Sequence, residues 1–129
     1  MNARIRAKRT LKNLRRYEAM PSPIWHQREE FGFLIGIYSN PGPSNTKISI
    51  LDKGIFWGDG GEGKSFLYPE VKLVSVLEGI ESVEIVILTD GGKELRIPVS
   101  GRDGQYSDCM LMLRFMDRVV EDAKKYPYE

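Results

Sequence analysis

The chain has 129 residues, of which 41% are hydrophobic and 29% charged, a composition that suits one soluble globular domain. No apolar run approaches the ~20 residues that a membrane-spanning helix needs, so the sequence predicts no transmembrane segment. A single cysteine, Cys109, and a single histidine, His26, exclude an internal disulfide and argue against a zinc site or a Cys–His catalytic pair. The N-terminus lacks the features of a secretory signal, so we expect a cytoplasmic protein.

Charge is unevenly distributed along the chain. Residues 1–18 hold seven of the 19 basic residues and one of the 18 acidic ones, a net charge of +6 that leaves the remainder at −5. Such a segment suits an acidic protein face, an anionic membrane surface or nucleic acid. Nucleic acid is disfavoured, because the segment has few aromatic side chains and the remainder has the wrong sign of charge. The candidate partner-binding residues are therefore Arg4, Arg6, Lys8, Arg9, Lys12, Arg15 and Arg16.

The same segment has helical periodicity. Four apolar residues recur at spacings of four, four and three and predict a thin apolar stripe on a helix over residues 3–17. These residues are Ala3, Ala7, Leu11 and Leu14. We expect the helix to be loosely docked on the body of the protein or ordered by a partner.

Two prolines separate this helix from the rest of the chain. Pro21 and Pro23 fix their own φ angles and disfavour helical geometry in the residues before them. We therefore expect a basic helical arm at residues 1–20, a linker at residues 21–29 and a folded domain at residues 30–129.

Short strands joined by turns follow. Apolar residues alternate over residues 30–39 and predict a strand with one buried face, with glycines on its other side. Lys47–Leu51 and residues 55–57 then form a predicted hairpin around an Asp-Lys-Gly turn.

A second hairpin is predicted from Val83–Thr89 and residues 94–99, joined by an Asp-Gly-Gly turn. Leu95, Ile97 and Val99 should face inward. Pro98 cannot donate to a β-ladder, so its strand is expected to lie at a sheet edge or to end there. That edge is a candidate surface for a homo-oligomer.

The last predicted element is an amphipathic helix over Ser107–Lys125, with Ser107 as N-cap. Leu111 and Phe115 lie off the main apolar face, where they form a small exposed patch or are covered by the N-terminal helix. The residues of the predicted inward face are Cys109, Met112, Leu113, Met116, Val119, Val120 and Ala123.

Residues 58–65 match the phosphate-loop pattern G-x-x-x-x-G-K-[ST] letter for letter. Under this alternative, Gly58, Gly63, Lys64 and Ser65 bind a nucleotide. A phosphate loop must open into a helix, however, and Pro69 would fall inside the second turn of that helix. The favoured interpretation is a glycine-rich hairpin loop.

The order of these elements from about residue 30 to residue 125 resembles a bacterial pleckstrin-homology-like (PH-like) domain. The resemblance rests on the turn within residues 50–55, the aromatic-proline segment at residues 66–71, the later hairpin and the closing helix. It implies an α+β, mainly β fold, in which a bent antiparallel sheet or barrel of about six to seven strands is closed by the C-terminal helix.

Members of this fold bind phosphoinositides, peptides or proteins. Phosphoinositide binding is disfavoured here, because residues 40–45 contain no basic side chain. We therefore expect a non-enzymatic interaction module whose partner is a protein or an anionic surface, with no catalytic residue, cofactor or metal. The alternative is a nucleotide-binding protein that uses the phosphate-loop-like segment.

Overall fold

The computed structural model describes residues 3–12, 14, 17–25, 29–40, 46–59, 62–78, 83–99 and 107–125. The protein is α+β and mainly β, as predicted. Its helices and strands are α1 (Ala3–Thr10), β1 (Tyr17–Trp25), β2 (Phe33–Ser39), β3 (Lys47–Leu51), β4 (Gly54–Asp59), β5 (Glu62–Leu67), β6 (Val71–Glu78), β7 (Val83–Thr89), β8 (Glu94–Pro98) and α2 (Ser107–Lys125). Two single turns of 3-10 helix, Glu29–Phe31 and Tyr68–Glu70, precede β2 and β6.

The strands form two antiparallel sheets, in the orders β1-β2-β3-β4-β5 and β6-β7-β8. The prediction of one bent sheet or barrel of six to seven strands is therefore corrected to two sheets that are not closed into a barrel. The turn Tyr68–Glu70 separates the sheets along the chain. Pro69, inside that turn, has no N–H for a β-ladder, so continuous pairing through this point is disfavoured.

Both predicted hairpins and the predicted terminal helix are confirmed. β3 pairs with β4, β7 pairs with β8, and α2 has the predicted bounds. Gly92 has a φ of 83° in the turn between β7 and β8, a conformation that glycine adopts without steric cost. β8 is an edge strand, as Pro98 predicted, and Leu95, Ile97 and Val99 are buried.

The N-terminal region differs from its prediction. α1 ends at Thr10, and Tyr17 begins β1 instead of ending the helix. The aromatic ring of Tyr17 occupies the space that a Cβ atom on Gly36 of β2 would need, so a contact between strands holds this residue in the sheet.

Part of the predicted linker also belongs to β1. Pro21 and Pro23 lie within this strand, where the pairing with β2 shifts register between Ala19 and Ile24. β1 is an edge strand, and an edge with an irregular register tolerates residues that cannot donate to the ladder.

Both helices and both sheets share one hydrophobic core. Its fully buried side chains include Leu11, Tyr38, Ile48, Ile50, Ile55, Ile85, Ile87, Ile97, Met112 and Phe115.

A side chain of β4 and one that directly follows β2 also bond to the backbone of β8. Trp57 donates from Nε1 to the Arg96 carbonyl at 3.1 Å, and Asn40 donates from Nδ2 to the Pro98 carbonyl at 2.7 Å. These bonds engage two carbonyls of the strand that was the candidate edge for self-association.

We predict an alkaline loss of stability that depends on Tyr68. Its hydroxyl donates to the Leu51 carbonyl at 2.7 Å, and burial raises its pKa well above the ordinary value of 10.0. Burial also raises the pKa of Tyr17 to about 12. The unfolded chain therefore ionises first, so this stability is present below pH 10 and is lost as the pH rises through the folded-state pKa values.

Urea unfolding of Tyr68→Phe at pH 7 and pH 11 tests this prediction. At pH 7 the variant should lose about 1–3 kcal/mol, because the buried Leu51 carbonyl loses its donor. The free energy of unfolding should then fall less between the two pH values than in the parent. Tyr17→Phe measures separately how much of the alkaline loss comes from Tyr17. If the free energy of unfolding falls equally between the two pH values in the parent and in Tyr68→Phe, the alkaline loss does not depend on Tyr68.

Candidate functional site

The N-terminal helix is docked on the terminal helix by its apolar stripe. α1 packs against α2, and the side chains of Ala3 and Ala7 are buried. Leu11 and Leu14, beyond the end of α1, are buried as well. Alanine allows two helix backbones to approach closely, so a thin stripe is sufficient. All four residues of the predicted stripe are buried in the common core, although only Ala3 and Ala7 lie on the helix.

A bidentate ion pair reinforces this docking. Arg6 donates from Nε to Asp122 Oδ2 at 2.8 Å and from Nη2 to Asp122 Oδ1 at 3.0 Å. The side chains are 23% and 13% exposed, so the pair is partly shielded from solvent. The hydrogen bond from Arg6 lowers the pKa of Asp122, and the same bond raises the pKa of Arg6. Parallel N–H donors on a carboxylate define an orientation as well as an attraction.

This pairing gives Arg6 a role that the sequence did not indicate. The two residues are 116 positions apart, and Asp122 is not among the residues of the predicted inward face of α2. The signal that could have suggested the contact is charge complementarity between the basic segment, at +6, and the remainder of the chain, at −5.

The remaining described cations of the arm form one exposed surface, which we call the basic face. Three of them lie on one side of α1, because at about 100° per residue Arg4, Lys8 and Arg9 fall within roughly 140° of arc. Ile5, between them in angle, is 41% exposed. The described acidic side chains make no ion pair with this face. On α2, Asp122 pairs with Arg6 and Glu121 pairs with Lys125. The members of the basic face are Arg4, Lys8, Arg9 and Lys12. Arg15 and Arg16 lie outside the described residues.

The phosphate-loop-like segment belongs to the hairpin of β4 and β5. Gly58 is opposite Gly63 and Trp57 is opposite Lys64 in this antiparallel pair. Lys64 and Ser65 therefore lie inside a strand, where the phosphate-loop pattern requires the start of a helix. The secondary structure matches the hairpin interpretation.

Gly63 also has a packing role in this hairpin. The ring of Phe56 fills the space that a Cβ atom at Gly63 would need. The packing of Phe56 therefore explains the glycine at this position without a bound phosphate. Gly60 and Gly61 lie outside the described residues.

The outer side of α2 carries a second surface feature. An open depression of about 510 Å³ is bordered by apolar and charged side chains of both signs. Burial raises the pKa of Asp117 at its edge. Phe115, one of the two residues that the sequence placed off the main apolar face, is fully buried, and Leu111 is half-buried against the core. The lining residues are Met110, Leu111, Leu113, Arg114, Asp117, Arg118 and Glu121.

Other site types find no support in the described part of the chain. It contains no group of three or more histidine, cysteine or acidic residues that could hold a metal ion. Neither of its helices has the length and apolar character needed to cross a bilayer. His26 lies outside the described residues.

Comparisons of this chain with protein-family models, with curated proteins and with solved structures found no match.

Proposed function

We propose that this chain is a non-enzymatic interaction module that binds an anionic partner through the basic face of α1. The observation that carries the proposal is the docking of α1. Burial of Ala3 and Ala7, together with the ion pair between Arg6 and Asp122, orients the helix so that its other cations point to solvent. A surface that is ordered before binding loses less conformational entropy when a partner binds.

The PH-like assignment is part of the same proposal. It rests on the order of the hairpins and the closing helix in the sequence, and the two separate sheets differ from the single bent sheet or barrel that the resemblance implied. In such a domain the sheets and the closing helix form the scaffold. The basic face adds a surface that lies outside the resemblance.

The chemistry of the basic face suits an extended anionic surface better than a small ligand. Arg4, Lys8, Arg9 and Lys12 spread over the exposed part of the arm and do not converge on one point. Each cation near an anionic membrane contributes about 1 kcal/mol. An acidic protein face would attract the same cations, and added salt would weaken either interaction.

Charge reversal tests the proposal better than truncation does. Deleting residues 1–18 would remove the buried Leu11 and Leu14, so it would disturb the fold as well as the charge. We would instead change Lys8, Arg9 and Lys12 together to glutamate. The matched control changes Lys53, Lys64 and Lys93, three exposed lysines of the strands and their turns, to glutamate, so both variants have the same net charge.

Binding is measured by co-sedimentation with vesicles that contain phosphatidylserine and with neutral phosphatidylcholine vesicles. The parent and the control should bind the anionic vesicles, and the arm variant should bind them roughly 100-fold more weakly. Soluble polyglutamate is the probe for an acidic protein partner. Equal losses in both variants, or no binding of the parent to either anionic probe, would overturn the proposal.

A further inference from the structure

β6 is an edge strand with less protection than the edge strands β1 and β8. β1 contains two prolines and a register shift, and β8 ends at Pro98 with two of its carbonyls bonded to Trp57 and Asn40. β6 has no proline or glycine and pairs with β7 without a shift from Leu73 to Glu78; its one register shift lies at Lys72, between Val71 and Leu73. In the described part of the chain, no backbone hydrogen bond from another segment reaches residues 72–78.

The side chains of residues 72–76, in the middle of β6, are incompletely covered on both faces of the sheet. On the core side, Val74 is half-buried, whereas its partner Ile87 on β7 is 0% exposed. On the opposite side, Leu73 is 56% exposed. Burial thus falls off at this edge, as expected where another strand would extend the sheet.

The sequence of this edge is complementary to itself. Residues 72–78 read Lys-Leu-Val-Ser-Val-Leu-Glu, a palindrome of apolar residues with opposite charges at its ends. An antiparallel pair of two such strands, related by a two-fold axis at Ser75, places Lys72 opposite Glu78 of the second copy. The same register places Leu73 opposite Leu77 and Val74 opposite Val76. Opposite charges and matched apolar residues are favourable cross-strand pairs.

We propose that β6 pairs with β6 of a second copy of this chain, with the two-fold axis at Ser75. The pairing joins two three-stranded sheets into one six-stranded sheet and satisfies the outer backbone groups of both edges. It also covers Leu73 next to its neighbour Leu88 on β7. One strand pair is a small interface, so the dimer is weak and its population depends on protein concentration.

A charge-exchange cycle on the full chain tests the register. In Lys72→Glu, a glutamate at position 72 is opposite Glu78 of the other copy at each end of the strand pair. In Glu78→Lys, a lysine at position 78 is opposite Lys72 of the other copy at each end. Each single variant should weaken dimerisation at least tenfold, about 1.4 kcal/mol. The double variant Lys72→Glu/Glu78→Lys restores both attractive pairs and should dimerise as the parent does. Its composition equals that of the parent, so it is the matched control.

Sedimentation equilibrium over a concentration series measures these constants, and thermal unfolding confirms that every variant is folded. A parent that remains monomeric up to about 1 mM would overturn the proposal. So would a dimer that neither single variant weakens, because its interface would lie elsewhere. A double variant that stays as weak as the single variants would exclude the two-fold register.

Discussion

Replacing Gly54 with alanine is expected to destabilise the protein by about 2–3 kcal/mol, or by more if the surrounding core does not yield. Gly54 opens β4 and pairs with Leu67. A Cβ atom at this position would overlap the backbone carbonyl of Phe66 and would lie 2.8 Å from two ring carbons of Phe31. Both obstacles are held firmly, because one is part of a strand and the ring is 1% exposed.

Gly91→Ala is the matched control for this substitution. A Cβ atom at Gly91, in the turn between β7 and β8, meets nothing within 4 Å. The free energy of unfolding should change by no more than about 0.5 kcal/mol. Urea titration of both variants measures the difference, and equal stabilities would contradict the steric explanation for Gly54.

Phe115→Ala is expected to destabilise the protein by about 3–5 kcal/mol, the cost of truncating a buried aromatic side chain. The ring of Phe115 is 0% exposed and belongs to the common core. Its removal leaves a cavity between elements that are held in place by many other contacts, so the space should close only in part.

Met110→Ala on the same helix is the control, because Met110 is 54% exposed. Its truncation should change the free energy of unfolding by no more than about 0.5 kcal/mol. Chemical denaturation followed by circular dichroism distinguishes the two results. Similar small losses in both variants would mean that Phe115 contributes little to the core.

The position of Phe115 illustrates a limit of periodicity. The sequence predicted one apolar face on α2 and placed Phe115 beside it. In the structure α2 is contacted by α1, by β6 and β7 and by the turn Tyr68–Glu70. Contacts on several sides bury more of the circumference of a helix than a single stripe indicates, and the number of neighbours is not encoded in local spacing.

The phosphate-loop-like segment illustrates the converse case. Its letters match a motif, but the residues after it decide the conformation of the backbone. β5 continues through Ser65 to Leu67, and Gly63 lies against the ring of Phe56. In the sequence, Pro69 already disfavoured a helix at this point. A motif of this length is therefore informative only together with the elements on either side of it.

The sequence by itself determined the α+β class, the two hairpins and the bounds of α2. These features depend on residues close together in the chain, through hydrophobic period and turn chemistry. Only the tertiary structure decided where α1 ends, how many sheets there are and which cations of the arm face solvent. Three contacts between distant parts of the chain illustrate this: the packing of Tyr17 against Gly36, the hydrogen bond from Trp57 to the Arg96 carbonyl, and the ion pair of Arg6 with Asp122. Such contacts exist only once the elements have packed, because local backbone preferences contain no information about them.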